Sequence, residues 1–432
     1  MLRIWFLSIS FILWMDQPIH AQPVLPQLAP DMHLGNITCG NSNCHAASQP
    51  WANSAVLQNE YTYFMANDPH AKSYQTLEGK KAQDIAAKLK IGDPRKASIC
   101  LDCHANNVPE SKQAKTFNIA DGVSCESCHG PSSRWLGQHV SLANFHSENI
   151  SAGMYPTEDP SARAELCASC HIGNEKKFIN HELYGAGHPR TPFELNSYSQ
   201  SHAHFITNEK YARRKFVMQE SQAWALGQVV NLRKQMQGIA DPARFVGALT
   251  PELAYFDCYS CHRNISGGSL KGYQNLTVPV PQINSVNAIM TGILFESIDP
   301  PSAATLMKQF KVLQDAPLQS YVATHLAAKN VLVTLSPLEK KIAQKDFVIK
   351  DLPALTQLIA KKISQLNEIT PTLGEQTYFA LSSQVRTIEK LGSLSPGQVA
   401  QMHKQLTLLR QIIDEKNFNE DQFRRTLQQL GK

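Results

Sequence analysis

Beyond its first fourteen residues, this 432-residue chain has no apolar run long enough to span a membrane, so no later membrane segment is expected. It has no cysteine outside five short clusters, which leaves no spare thiol for a separate disulfide framework. It has no strong alternating pattern, which argues against a sheet domain. Residues 22 to about 275 lack the apolar runs of an ordinary core and consist largely of short polar segments rich in Gly, Pro, Asn and Ser. The chain also lacks a large charge excess: its formal net charge is only +5.

What is present accounts for all ten cysteines. Four clusters read Cys100-Leu-Asp-Cys103-His104, Cys125-Glu-Ser-Cys128-His129, Cys167-Ala-Ser-Cys170-His171 and Cys258-Tyr-Ser-Cys261-His262. A fifth is stretched, Cys39-Gly-Asn-Ser-Asn-Cys44-His45. Cys-x-x-Cys-His is the attachment signal of c-type haem: two thiols form thioethers with the vinyl groups, and the adjacent histidine binds the iron. Structural zinc sites do not need a histidine directly after the second cysteine. Disulfides would leave all five following histidines unexplained. The expectation is therefore five covalently bound haem c groups, with His45, His104, His129, His171 and His262 as proximal ligands.

The first 21 residues read as a secretory signal. Arg3 supplies the positive start, Ile4 to Trp14 the apolar core, and Ile19-His20-Ala21 a cleavage site. An uncleaved anchor is the alternative, although the apolar stretch is short for a span. Because c-type haem is attached outside the bacterial cytoplasm, a periplasmic or extracellular location is expected. Removing the leader takes away Arg3 and Asp16 and leaves the net charge at +5. Five ferric haems with their propionates add roughly −5, so the loaded protein sits near neutral and its basicity is no argument for nucleic acid. Peripheral membrane association is left open.

The chain divides by composition into a haem-bearing region, 22–275, and a helical region, 276–432, joined at Val278-Pro279-Val280-Pro281. In the first, a helix is expected from about Asn208 to Gly238, and another from Thr250. In the second, Leu355, Ile359, Ile363 and Leu366 make one helical stripe; Tyr378, Leu381, Val385 and Ile388 a second; Val399, Met402, Leu406, Leu409 and Ile413 a third, started by Ser395-Pro396. About 150 residues suffice for an independent helical domain, which would serve docking or oligomerisation. The expected class is all-α, with loops around the haems.

Beside the five proximal histidines stand His33, His70, His139, His146, His181, His188, His202, His204, His325 and His403. All but the last two lie in the haem region. Bis-histidine ligation gives such a surplus a use: a second imidazole closes the sixth position and leaves a low-spin centre suited to electron transfer. His325 shares a helical face with Leu318, Val322 and Leu332 and reads as a core histidine. His403 flanks a stripe and reads as surface.

Three stretches resemble the cytochrome c-554-type multihaem cytochromes: His70-Ala-Lys-Ser-Tyr-Gln-Thr-Leu77, Gly122-Val-Ser-Cys-Glu-Ser-Cys-His-Gly-Pro131 and Gly137-Gln-His139. The order of the first four haem motifs is similar too, and the likeness covers roughly residues 36–172. The resemblance implies a helical fold with haems in close parallel and perpendicular pairs. It implies His70 as distal ligand of the third haem and His139 as that of the first. It also implies that the second haem, on His104, can lack a sixth ligand. The expanded first motif, the fifth motif and the added helical region depart from the family. For the fourth and fifth haems the candidates are His188, in the tight turn Gly185-Ala-Gly187-His-Pro189, and His204, with an ordinary loop histidine as the alternative for each. His33 is the local candidate for the second haem; His146 and His181 are unassigned.

The leading expectation is an exported pentahaem carrier that passes electrons between other redox proteins. An oxidoreductase acting on nitrite, hydroxylamine or nitric oxide at an open haem is the second reading, weakened because all five motifs end in histidine, whereas pentahaem nitrite reductases carry one lysine. A structural conduit, with protomers joined through the carboxy-terminal helices into a complex or filament, is the third.

Overall fold

The computed structural model describes residues 23–262 and 281–430, apart from 53, 55, 142–144, 202, 207, 214, 248–249 and 415–417. The expected leader, most of the Pro-rich connection and His202 lie outside these residues. The fold is predominantly helical. The haem region carries α1 Glu60–Asn67, α2 Lys80–Leu89, α3 Ser98–His104, α4 Cys125–His129, α5 His146–Ser151, α6 Pro160–His171, α7 His181–Ala186, α8 Leu195–Ser201, α9 Glu209–Ala212, α10 Glu220–Ala240 and α11 Cys258–Cys261. The remainder carries α12 Val286–Ile298, α13 Pro300–Asp315, α14 Tyr321–Ile342, α15 Leu352–Ser364, α16 Pro371–Leu391, α17 Pro396–Asp414 and α18 Glu420–Leu430. The one sheet among the described residues is the two-residue ribbon of β1 Phe245–Val246 and β2 Thr250–Pro251. No helix among the described residues is long and apolar enough to cross a membrane.

The helix starts follow local chemistry. Asp159 accepts a bond from the Ala162 amide at 2.8 Å, with Pro160 at the first position of α6. Asp351 does the same for Ala354 at 2.9 Å, ahead of α15. Thr370 and Pro371 open α16, and Gly392 closes it in the left-handed region at φ 62°. A side-chain oxygen that satisfies an orphan amide, followed by proline, makes a strong start signal.

The two regions are packed by different means. Up to about residue 160 the haem region contains only small apolar clusters: Leu77 with Leu101 and Ala105, Ile85 with Leu183 and Ala186, and Tyr155 with Ala162 and Leu166. The main core starts at Ala164 and continues through Trp224, Leu294 and Leu381 to Leu430. It therefore crosses the compositional boundary near 275. Its axis is α10, where Trp224, Leu226, Val229, Leu232, Met236 and Ile239 are fully buried and which packs against α6, α8, α12, α14 and α16. A helix buried on every side cannot show a one-sided stripe.

Several details differ from expectation. The helix expected from 208 to 238 is two, because Gln219 is extended and α10 begins only at Glu220. The helix expected from Thr250 is absent: Thr250 pairs with Val246 across a turn in which Gly247 has φ 57°. Leu318 and Val322 are exposed, since α14 buries Ala327, Ala328, Val331, Leu335 and Leu338 instead. His325 is half-buried and its Nδ1 donates to the Ala240 carbonyl at 2.7 Å. His403 bonds Glu389 at 2.9 Å at the surface.

An ion-pair network ties the fourth motif's helix to the main core. Arg233 of α10 bonds Glu165 of α6 and Glu339 of α14, each at 2.8 Å, and Lys234 also bonds Glu165. All these side chains are largely buried. Arg233→Ala would leave two carboxylates poorly compensated, and breaking a buried pair costs about 3 kcal/mol. The expected outcome is a clearly lower thermal midpoint by calorimetry, with an unchanged haem spectrum at room temperature.

Candidate haem sites

Each Cys-x-x-Cys-His motif forms one helical turn or closes one. His104 and His171 end α3 and α6, α4 is the third motif itself, and α11 spans Cys258–Cys261. The stretched motif folds as turns, with the His45 amide donating to the Cys39 carbonyl at 3.3 Å. In a helical turn, positions three and four apart share a face, so both sulfurs and the following imidazole address one side. The ten cysteines are free thiols, the form that haem attachment needs.

The imidazoles show a repeated pattern. Each of the five motif histidines faces one further histidine. The ring centroids are 6.4 Å apart for His45 and His139, 6.4 Å for His104 and His188, and 6.4 Å for His129 and His204. They are 6.0 Å apart for His171 and His70, and 6.2 Å for His262 and His181. Two iron–nitrogen bonds of about 2 Å, with about 1.1 Å more from each nitrogen to its ring centre, set such centroids about 6 Å apart. The spacing leaves room for a metal between the rings, and five such gaps beside five cysteine pairs fit haem c.

Five of the ten rings have their Nδ1 held by an acceptor. His45 Nδ1 donates to Glu60 at 2.9 Å, and His70 Nδ1 to Asp68 at 2.9 Å. His104 Nδ1 donates to the Ser73 carbonyl at 3.1 Å, His188 Nδ1 to the Pro189 carbonyl at 2.8 Å, and His139 Nδ1 to the Leu136 carbonyl. Fixing the proton on Nδ1 leaves the Nε2 lone pair for a metal. Burial, helped by the charges of His204 and Lys215, lowers His129 to about 3. Burial and then His70 lower His171 to about 4. His139, His188 and His204 are also lowered, chiefly by burial. These imidazoles are neutral at pH 7, the state that binds metal. His45 is raised instead, by its bond to Glu60.

The motifs touch in pairs. The Cys39 thiol lies in hydrogen-bonding contact with Cys125, joining the first motif to the third. Cys103 lies likewise against Cys170, joining the second to the fourth. The third motif is also tied to the chain's start. Buried Glu126, between its cysteines, accepts from the Leu34, Gly35 and Ser132 amides at 2.7–2.9 Å and from the Ser132 hydroxyl at 2.6 Å.

Some expected placements differ. His70 sits opposite His171, not His129, because Asp68 turns the His70 imidazole by accepting from both its amide and its Nδ1. His204 takes the place opposite His129. His188 faces His104, not the fourth or fifth motif. His33 is fully buried, bonded to Asn106 at 3.0 Å, and its ring lies against Phe117 rather than against a motif histidine. His146 is engaged by Glu158 at 2.7 Å. His181, unassigned from sequence, faces His262. Its signal was its position at the start of a segment that carries three histidines in use, 181, 188 and 204.

Comparison with known proteins agrees with this chemistry. Residues 38–130 match the family described as cytochrome c554 and c-prime. Cytochrome c-554 of Nitrosomonas europaea is 28% identical over 167 residues, covering 35% of this chain and 62% of that protein. The match thus spans less than two thirds of the relative's length. No solved structure matches the chain.

Replacing Glu126 with alanine removes the acceptor for three amides, two of them buried, and each unsatisfied buried donor costs about 1–3 kcal/mol. The expected outcome is a large loss of thermal stability, read by circular dichroism on protein carrying its haem. A midpoint within a degree of the parent would show that the Glu126 bonds do not hold the third motif.

Proposed function

We propose that this chain, whose residues 38–130 match the cytochrome c554 and c-prime family, is an exported pentahaem carrier that passes electrons between redox proteins. The observation that carries the reading is the pairing of every proximal histidine with one further histidine at 6.0–6.4 Å. On this reading the distal ligands of the first to fifth haems are His139, His188, His204, His70 and His181. The second haem then has a sixth ligand, and the open-site reading loses its candidate.

Haem supplies a one-electron iron couple when bound. The protein's part is to hold both imidazoles in place and to exclude water. His129 and His171 are half-buried, and Phe193 stacks on the His171 ring at 4.7 Å. Backbone carbonyls and two carboxylates keep five of the rings from turning. Two imidazoles clamped in this way favour one geometry in both oxidation states. The contacts Cys39–Cys125 and Cys103–Cys170 support a close approach of the first haem to the third and of the second to the fourth. Export follows from the chemistry of c-type haem attachment and from the leader-like residues 1–21.

The test is spectroscopic. Intact mass should exceed the polypeptide by five haem masses. The oxidised protein should be entirely low-spin by electron paramagnetic resonance, and the reduced protein should bind no nitric oxide. His188→Ala should create one high-spin centre that binds nitric oxide, whereas His33→Ala should create none. A high-spin haem in the parent protein would sink the carrier reading in favour of an enzyme.

A further inference from the structure

Lys177 is a buried cation, only 8% exposed, in the middle of the haem region. Its ammonium donates to Cys170 Sγ at 3.3 Å. No carboxylate among the described residues pairs with it. The loop that delivers it is built tightly. Gly173 has φ 111°, and a Cβ there would lie 2.6 Å from the Lys177 carbonyl. Asn174 accepts from the Lys176 and Lys177 amides, each at 2.9 Å, and its own amide donates to the Lys177 carbonyl at 2.8 Å. The next residue, Phe178, lies between Tyr255 at 4.8 Å and the Arg244 guanidinium at 4.2 Å, and Arg244 also bonds the Asn174 carbonyl. The lysine is therefore held in place.

Its surroundings belong to more than one motif. Cys170 is in contact with Cys103, and the charge of Lys177 is felt at Cys103, Cys128 and Cys170. Once both thiols have become thioethers, neither sulfur can carry a negative charge. The ammonium then remains at the thioether edges of the second and fourth haems with no anionic protein partner. A burden of this kind is not kept for stability, since replacing a buried charge with an apolar side chain is often neutral or stabilising.

We infer that Lys177 is a potential-setting residue: its fixed positive charge favours the ferrous state of the second and fourth haems and makes them the preferred resting place of electrons in the chain. A positive charge beside an iron disfavours the more positive oxidation state, and in a largely buried site it is only weakly screened. The pairing of the two motifs lets one lysine act on both centres. The inference rests on the reading that these motifs carry haem.

The test compares Lys177→Met and Lys177→Arg in the full, haem-loaded chain. Intact mass and resonance spectra first establish five low-spin haems in the parent and in both variants. Spectroelectrochemical titration then resolves the five one-electron steps. In Lys177→Met, two steps should move to lower potential, each by about tenfold in the reduced-to-oxidised ratio, or about 59 mV. Lys177→Arg should keep both near the parent. Five unchanged potentials in Lys177→Met would overturn the inference, as would equal shifts in both variants, which would mark a packing role. A parent lacking haem at the second or fourth motif would instead remove the reading beneath it, and the mass would reveal that separately.

Discussion

Two imidazoles facing each other across a gap of fixed width are the element on which the first half of this molecule depends. Each pair joins segments far apart in sequence, such as the His45 turn and the His139 turn, or the end of α6 and the loop of His70. The other long-range ties are small clusters and single hydrogen bonds. The apolar clusters there are small, and many of the remaining contacts are hydrogen bonds to Glu126, Ser73 and Asp68. On the proposed ligation, an iron bound from both sides would work as a cross-link and bring a large apolar disc with it. It would supply in one group what an ordinary domain gathers from many side chains.

The second half is built the opposite way. Its helices bury leucine, isoleucine and phenylalanine around α10, and α6 carries the fourth motif directly against that helix. Phe193 continues the contact by stacking on His171, and the following Glu194 caps α8 and bonds Ser383 of α16. The fourth proximal histidine is thus seated on the helical core. The first three motifs lie outside that core.

Fold class was legible because helix stripes and start signals are local. The three stripes expected in the second half became α15, α16 and α17. α10 was legible only in part, because a helix buried all round has no polar face to mark its register. The ribbon at 245–251 depends on Gly247 in a positive-φ turn, a signal that was passed over. The haem motifs were legible because their chemistry is contiguous. The facing histidines were not, since which loop histidine meets which motif is a matter of tertiary path. His70 shows the point: Asp68, two residues away, fixes the ring's direction, but nothing in the local sequence says that α6 ends opposite it. Lys177 was missed because one lysine in a polar loop looks like any other until its burial is known.

The scarcity of apolar contacts in the haem region has a consequence for how the protein is made. A polypeptide that has not received its cofactors has little to hold residues 23–140 together, because isolated small clusters cannot offset the entropy of ordering so many loops. The main core, from Ala164 to Leu430, does not rest on those loops. A chain short of haem would then be half folded, with an open, accessible front end joined to a compact rear. Such a molecule presents its defect to proteases, so the cell's supply of haem would set how much of the protein survives.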